Sequence, residues 1–296
     1  LTYGELIREI RIKKNITQKY LYQSIMSKSY AIRFEQGKHD ISFFLFNQIL
    51  EKIPMEVDEF LYIYNHYHES QSEAFYNEYG HYGNINDITG LVNLKNKISN
   101  AVDNNQVNLK IAELTARIDQ LNDYNETGIY RKEKIDEQAL NLIMTHLETI
   151  QDWTIDELRF LANTIDYIDY KERLDYFKLL LPKMRKYKDF GRGKKVICTL
   201  LVNSTREAMM LLDIETAKIL LKELDYFSNG IEELFFRISY FYYMGLMLIY
   251  EDKLLDGEKK VNNAIDTLEN LEFHYQANLF KETYTQFKKI VAMQEH

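Results

Sequence analysis

The residues of this sequence best suited to act on a partner lie close together near its start: Arg11, Gln18, Lys28, Ser29, Tyr30, Arg33 and Lys38. Their chemistry is non-covalent. Guanidinium and ammonium groups hold phosphate oxygens, while hydroxyl and amide groups hydrogen-bond to base edges or to backbone. Elsewhere the groups that perform covalent chemistry are scattered. Asp166 and Asp169 share one helical face with no histidine or cysteine beside them, His146 and His274 have no partner in the pattern, and no glycine-rich phosphate loop occurs. An enzyme is therefore not expected, nor a cofactor or a metal. Cys198, the single cysteine, forms no intrachain disulfide and reads as a buried, inert thiol.

Charge is distributed to match. Through Lys38, eight basic residues face three acids, a net of +5 within a chain whose formal charge is -8, so the remainder carries -13. A basic head on an acidic body confines nucleic-acid binding to the head and keeps the body off the phosphates. Hydrophobic residues make up 46% and charged residues 28%, which excludes wholesale disorder. Two prolines and eleven glycines in 296 residues imply helices joined by short turns. The longest apolar run, Tyr240 to Tyr250, falls short of the roughly 20 residues a membrane span needs, and no leader pattern precedes the first helix. A cytoplasmic protein with no membrane partner is the expectation.

The elements that must position the basic residues follow from apolar periodicity. Leu6, Ile7 and Ile10 define a first helix over 3–14, Thr17 caps a second from Gln18 to about Ile25, and Ser27 caps a third from Lys28 to Gln36. Gly37 ends the third. Phe43, Leu45, Phe46, Ile49, Leu50 and Ile53 form a fourth helix that closes the core, Pro54 stops it, and Val57, Phe60, Leu61 and Tyr64 form a fifth. Two short helices joined by a turn, the second capped and carrying small polar and basic residues outward, fit a major groove. On this geometry Lys28, Ser29 and Tyr30 reach base edges, Gln18, Arg33 and Lys38 hold phosphates, and Arg11 is a further phosphate candidate. Glu35 is expected to pair with a basic side chain such as Arg8. "TQKYL" (17–21) and "SKSYAIRFEQGK" (27–38) resemble the helix-turn-helix of the lambda-repressor-like family. That family usually carries a glycine in the turn, which is missing here, so the turn is expected to be short.

Beyond a linker and first turn region at 66–87, apolar segments recur in pairs: 88–101 with 105–122, 134–150 with 154–168, 171–187 with 193–207, 213–227 with 231–250, and 255–271 with 275–291. Helical hairpins of this size stacked in series indicate a tetratricopeptide-like solenoid over 88–296, with an irregular bundle as the rival. The fold class read from sequence is thus all-α, a five-helix helix-turn-helix domain over 1–65 followed by helical repeats.

Taken whole, the chain resembles the Rgg-type (Rgg/GadR/MutR) transcriptional regulators, most clearly in "GELIREIRIKKNITQKYL" (4–21) and "SKSYAIRFEQGKHDIS" (27–42), and also in "DWTIDELRFLAN" (152–163) and "LLVNSTREAMM" (200–210). The resemblance implies a cytoplasmic homodimer that binds double-stranded DNA at a palindromic operator, with RNA polymerase as a further partner. It also implies a short hydrophobic signalling peptide held by the repeats. An extended peptide presents unpaired amides and carbonyls that an asparagine can satisfy from both ends of its side chain. Asn163 and Asn203, each within an apolar stretch, are the candidates for that role. Arg159, Arg206 and Arg237 can hold a carboxylate, and Tyr240, with Phe241 and Tyr243, can receive apolar side chains. Helix bridging by Asn203 and core packing by the aromatics remain the alternatives, and Tyr275 to Val291 is a candidate for part of the dimer interface. A peptide-independent regulator and a helical-repeat scaffolding or immunity protein are the alternative functions.

Overall fold

The computed structural model describes residues 1–100, 104–127 and 131–294, and every regular element among them is a helix. The chain divides into two compact units, Leu1–His81 and Tyr82–His296.

In the first unit, α1 (Tyr3–Lys13), α2 (Gln18–Tyr22), α3 (Lys28–Glu35), α4 (Phe43–Lys52) and α5 (Val57–Tyr64) follow in order. Side-chain caps start the first four. Thr2 and Glu5 form a capping box, and Thr17, Ser27 and Ser42 each accept a bond from a backbone N–H in the first turn. The core joins Leu6, Ile7 and Ile10 of α1 to Leu21, Ala31, Phe34, Phe46, Ile49, Leu50 and Phe60, and Tyr3 stands edge-on to Phe60 and Tyr64. Helix α3 packs on both α1 and α2. Three local expectations change. Helix α2 stops at Tyr22, so the turn to α3 is not short, and Ser24 takes the left-handed conformation (φ 68°) that a glycine would adopt more freely. Lys52 of α4 steadies that turn by donating to the Gln23 carbonyl at 2.6 Å. Ile25 is consequently only half-buried, and Phe43, at the solvent end of α4, is 68% exposed instead of closing the core. Gly37 does end α3 in the left-handed region, at φ 68°.

Helix α6 (Gln71–Asn84) occupies most of the stretch read as linker and spans the boundary between the units. Its mix of glycines, tyrosines and polar residues hides the period that would have revealed it.

The second unit is a series of helices: α7 (Ile88–Ser99), α8 (Asn105–Thr127), α9 (Glu137–Thr149), α10 (Ile155–Thr164), α11 (Tyr170–Met184), α12 (Gly191–Met210), α13 (Ile214–Phe227), α14 (Leu234–Tyr250), α15 (Leu254–Asn270) and α16 (His274–Gln294). These are the paired segments read from the sequence, and residue 101, the expected end of the first, lies outside the described residues. One continuous core runs from Ala112 in α8 to Phe287 in α16 and contains Trp153 and Cys198. The even-numbered helices also pack on one another, α10 on α12, α12 on α14 and α14 on α16. Stacking of this kind is how each hairpin buries a face it cannot cover alone. Helices α14 and α15 approach closely. A Cβ on Gly245 would meet the Gly257 carbonyl oxygen and Val261 Cγ2, each at 2.8 Å. A buried arginine ties α11 to α12: Arg173 of α11 donates to the Ile168 carbonyl at 2.6 Å and pairs with Glu207 of α12. No helix of the described residues is long and apolar enough to cross a membrane.

Candidate DNA-binding and peptide-binding sites

Helix α3 begins where Ser27 Oγ accepts the Tyr30 N–H at 3.3 Å, and this cap sets Lys28 and Ser29 at the exposed start of the helix. Tyr30 is half-buried, its ring 4.1 Å from that of His39, with the Arg33 guanidinium 6.0 Å from the Tyr30 ring centre. Lys28, Arg33 and Lys38 are exposed and, among the described residues, have no acidic partner. Their charged groups are therefore not tied up in an ion pair among the described residues, as a phosphate contact requires.

Arg11 and Gln18 are placed differently. Glu35, 2% exposed, accepts from Arg11 Nε at 2.6 Å, Arg11 Nη2 at 2.9 Å, Gln18 Nε2 at 2.6 Å and Tyr22 Oη at 2.9 Å. The basic partner of Glu35 is Arg11 rather than Arg8. Arg11 Nη1 also donates to the Ile16 carbonyl at 2.9 Å, so this side chain is committed inside the head. Burial acts to raise the Glu35 carboxyl, but the donors from Arg11, Gln18 and Tyr22 outweigh it and hold the group below the usual carboxylate range. The network locks the start of α2 to the end of α3 and to α1, which fixes the angle at which α3 is presented.

In the second unit the peptide-binding candidates lie on successive even-numbered helices. Asn163 of α10 donates from Nδ2 to Glu113 Oε1 of α8 at 2.6 Å. Arg159, one turn earlier, is half-buried and pairs with Asp156 at 3.2 Å. Asn203 and Arg206 are exposed on α12, and Asn203 makes no hydrogen bond among the described residues, so it does not bridge helices. Arg237 of α14 donates to Asp225 Oδ1 at 2.5 Å, with its guanidinium 4.8 Å from the ring centre of Tyr240 and 5.0 Å from that of Phe241. Tyr240 is half-buried and Phe241 is exposed, while Tyr243 is buried as core. The layer thus offers an amide at α10, an amide and a cation at α12 that have no partner among the described residues, and a cation stacked on aromatics at α14.

Sequence reading missed Glu113. In "LKIAELTARIDQL" it looks like any acid of an amphipathic helix, yet it is fully buried and its Oε2 has no partner. Burial pushes its carboxyl up to about 8, the Asn163 bond and the charges of Lys110 and Arg159 offsetting part of the effect. Burial likewise moves Lys110 downward. Cys198 is buried, its thiol pushed up to about 12 by burial, in keeping with an inert group.

A capped helix-turn-helix followed by stacked helical hairpins defines the class of an all-α protein with a helix-turn-helix head and a repeat body. The sequence pattern of the HTH-type transcriptional regulator Rgg, C-terminal domain, matches residues 92–282, and the chain belongs to the Rgg family of transcriptional regulators. Among solved structures it is similar to a putative transcriptional regulator from Listeria monocytogenes EGD-e, at 32% identity over 97% of both chains with a TM-score of 0.87. It shares its fold with the SHP pheromone receptor Rgg2 of Streptococcus dysgalactiae (15% identity, 96% of this chain and 99% of that one, TM-score 0.72). The same fold recurs in a bacterial peptide pheromone/receptor complex (16% identity, 97% and 98%, TM-score 0.70). No curated protein sequence matches it.

Proposed function

We propose that this chain is a sequence-specific DNA-binding regulator of transcription whose output is set by a short hydrophobic signalling peptide held along α10, α12 and α14. The observation that carries the reading is the spacing of polar groups. Lys28, Ser29, Arg33 and Lys38 stand exposed around one capped helix, and Asn163, Asn203, Arg206 and Arg237 recur on three successive helices of one layer. In this reading Lys28, Ser29 and Tyr30 enter the major groove, and Arg33 and Lys38 hold phosphates. Arg11 and Gln18 act through Glu35 by fixing the pose of α3. The asparagines pair with the peptide backbone, the free arginine receives a carboxylate, and Tyr240 with Phe241 receives an apolar side chain. That the similar Rgg2 is a pheromone receptor supports the peptide part.

A single helix-turn-helix contacts little duplex, so the working species is a cytoplasmic homodimer on a palindromic operator, with the stretch Tyr275 to Val291 contributing to the interface. Peptide binding favours one arrangement of the repeats and hence one spacing of the two heads, or one contact with RNA polymerase. The test is binding of genome fragments by the purified full-length chain with and without a pool of short hydrophobic peptides. A specific fragment whose occupancy changes with one peptide supports the reading. Specific binding indifferent to every peptide removes the peptide and keeps the regulator, whereas no specific fragment under any condition refutes both and favours a scaffolding role.

A further inference from the structure

Asn163 has one amide group and two uses for it. As a peptide clamp it would serve ligand from both its amide nitrogen and its carbonyl oxygen, but one of the two N–H groups of its Nδ2 is already given to Glu113 Oε1 at 2.6 Å. Glu113 cannot release that donor cheaply. It is fully buried, its Oε2 is enclosed without a partner, and Asn163 is the only side chain that bonds it among the described residues. Asn163 itself is half-buried, and its Oδ1 is neither bonded among the described residues nor sealed from solvent. The amide is thus held at one end and open at the other. We propose that Glu113 is a positioning residue of the peptide layer, fixing the Asn163 amide so that the open end is the acceptor Oδ1, which selects a hydrogen-bond donor such as a backbone N–H of an extended peptide.

The inference rests on the peptide reading for its ligand but not for its geometry. An asparagine free to turn its amide accepts either polarity, whereas one pinned through Nδ2 offers an acceptor first. The groups whose charge reaches Glu113 are Lys110 on its own helix, Arg159 on α10 and Tyr167 in the turn after α10. Among the described residues none of them donates to the carboxyl, so the strength of the pin follows the protonation of Glu113. An ionised carboxylate grips an N–H more firmly than a neutral carboxyl.

The test reads the amide directly in the full chain. With asparagine side chains 15N-labelled and Asn163 assigned by its loss in Asn163→Ser, the inward N–H is expected to be protected from exchange. It should move as the pH is raised from about 6 to about 9, following the titration of a buried carboxyl. Glu113→Gln, which keeps shape and acceptor, should retain the protected signal and lose its movement with pH, while Glu113→Ala should lose both. An amide that exchanges freely, or that moves with pH equally well in Glu113→Gln, overturns the assignment. A synthetic library of eight-residue peptides supplies the second arm. If wild-type protein captures peptides, Glu113→Ala should capture about tenfold less, as loss of one ordered hydrogen bond implies, and Glu113→Gln should stay within a few-fold. Capture unchanged in Glu113→Ala would overturn the selecting role, and absence of capture by wild type would count against the peptide reading while the amide experiment still decides the positioning.

Discussion

Replacing Glu113 by glutamine should make the second unit more resistant to alkali, and the size of the effect can be worked from its burial. A carboxyl with an ordinary value of 4.5 is pushed up to about 8 because it is enclosed and receives one neutral donor. The folded chain then binds this proton more tightly than the unfolded chain, so its stability is fullest below about 4.5, falls as the pH rises from there to about 8, and is level beyond. At roughly 1.4 kcal/mol per unit the loss amounts to about 5 kcal/mol. Glutamine has no proton to lose and keeps the acceptor for Asn163. The stability difference between Glu113→Gln and wild type should therefore shift by about 4 kcal/mol in favour of the variant between pH 5 and pH 9. The chain has a single tryptophan, Trp153, buried in the core that contains Ala112 and Ala116 of α8, so its fluorescence in denaturant titrations reports this unit and not the head. Parallel pH dependences for the two proteins would refute the reasoning, because they would mean that Glu113 is ionised in the fold at neutral pH.

Three further outcomes follow from the geometry. Glu35→Ala strands Arg11 and unties Gln18 and Tyr22, and should lower the stability of the head by about 3 kcal/mol, seen as an early loss of helicity that leaves the Trp153 transition in place. Arg33→Ala should weaken specific and nonspecific duplex binding alike and reduce the slope of log affinity against log salt by about one, because its proposed partner is phosphate; a relaxed preference at a single base pair without general loss would show that it reads a base. Gly245→Ala forces a methyl against the Gly257 carbonyl oxygen at 2.8 Å and should cost the second unit about 1–3 kcal/mol, measured by the Trp153 transition, with an unchanged midpoint counting against the close packing of α14 on α15.

Periodicity made most of the fold legible, because a helix that buries one face must write its apolar residues at a spacing of three and four. Leu6, Ile7 and Ile10, or Ala217, Leu220, Leu221 and Leu224, announce their helices and are buried in them. Where the apolar spacing is diluted, as in α6 with its tyrosines and glycines, the helix was not visible. Side-chain direction at helix ends was harder still. Phe43 has the type and spacing of a core residue, but it is the first residue of α4, where no turn precedes it to turn it inward. Ser24 stands in a conformation that composition alone assigns to glycine, and only the clamp from Lys52 to the Gln23 carbonyl shows why the turn tolerates it. The exposed cations of α3 could be chosen by type and position because a surface residue needs no partner to be recognised. That Glu35 pairs with a basic side chain was legible but its partner Arg11 was not, and Glu113 was not legible at all, because what each does depends on side chains from other helices.

Those two glutamates show how the same residue, buried to a similar degree, takes opposite roles. Glu35 is met by Arg11, Gln18 and Tyr22, and its four bonds, two of them from a guanidinium, more than repay desolvation, so it stays ionised. Glu113 is met by one amide, which does not, and its proton is retained. The sign of their pH dependence therefore differs: the contribution of Glu35 is present above about 4.5 and lost on acidification, and that of Glu113 is lost as the pH rises from about 4.5 to about 8. A saturated carboxylate fixes geometry, which suits a residue that sets the pose of α3, the helix proposed to meet DNA. An unsaturated one leaves a neighbour's amide held by a single bond whose strength varies with one proton, and in this chain that neighbour is Asn163, on the layer assigned to the peptide.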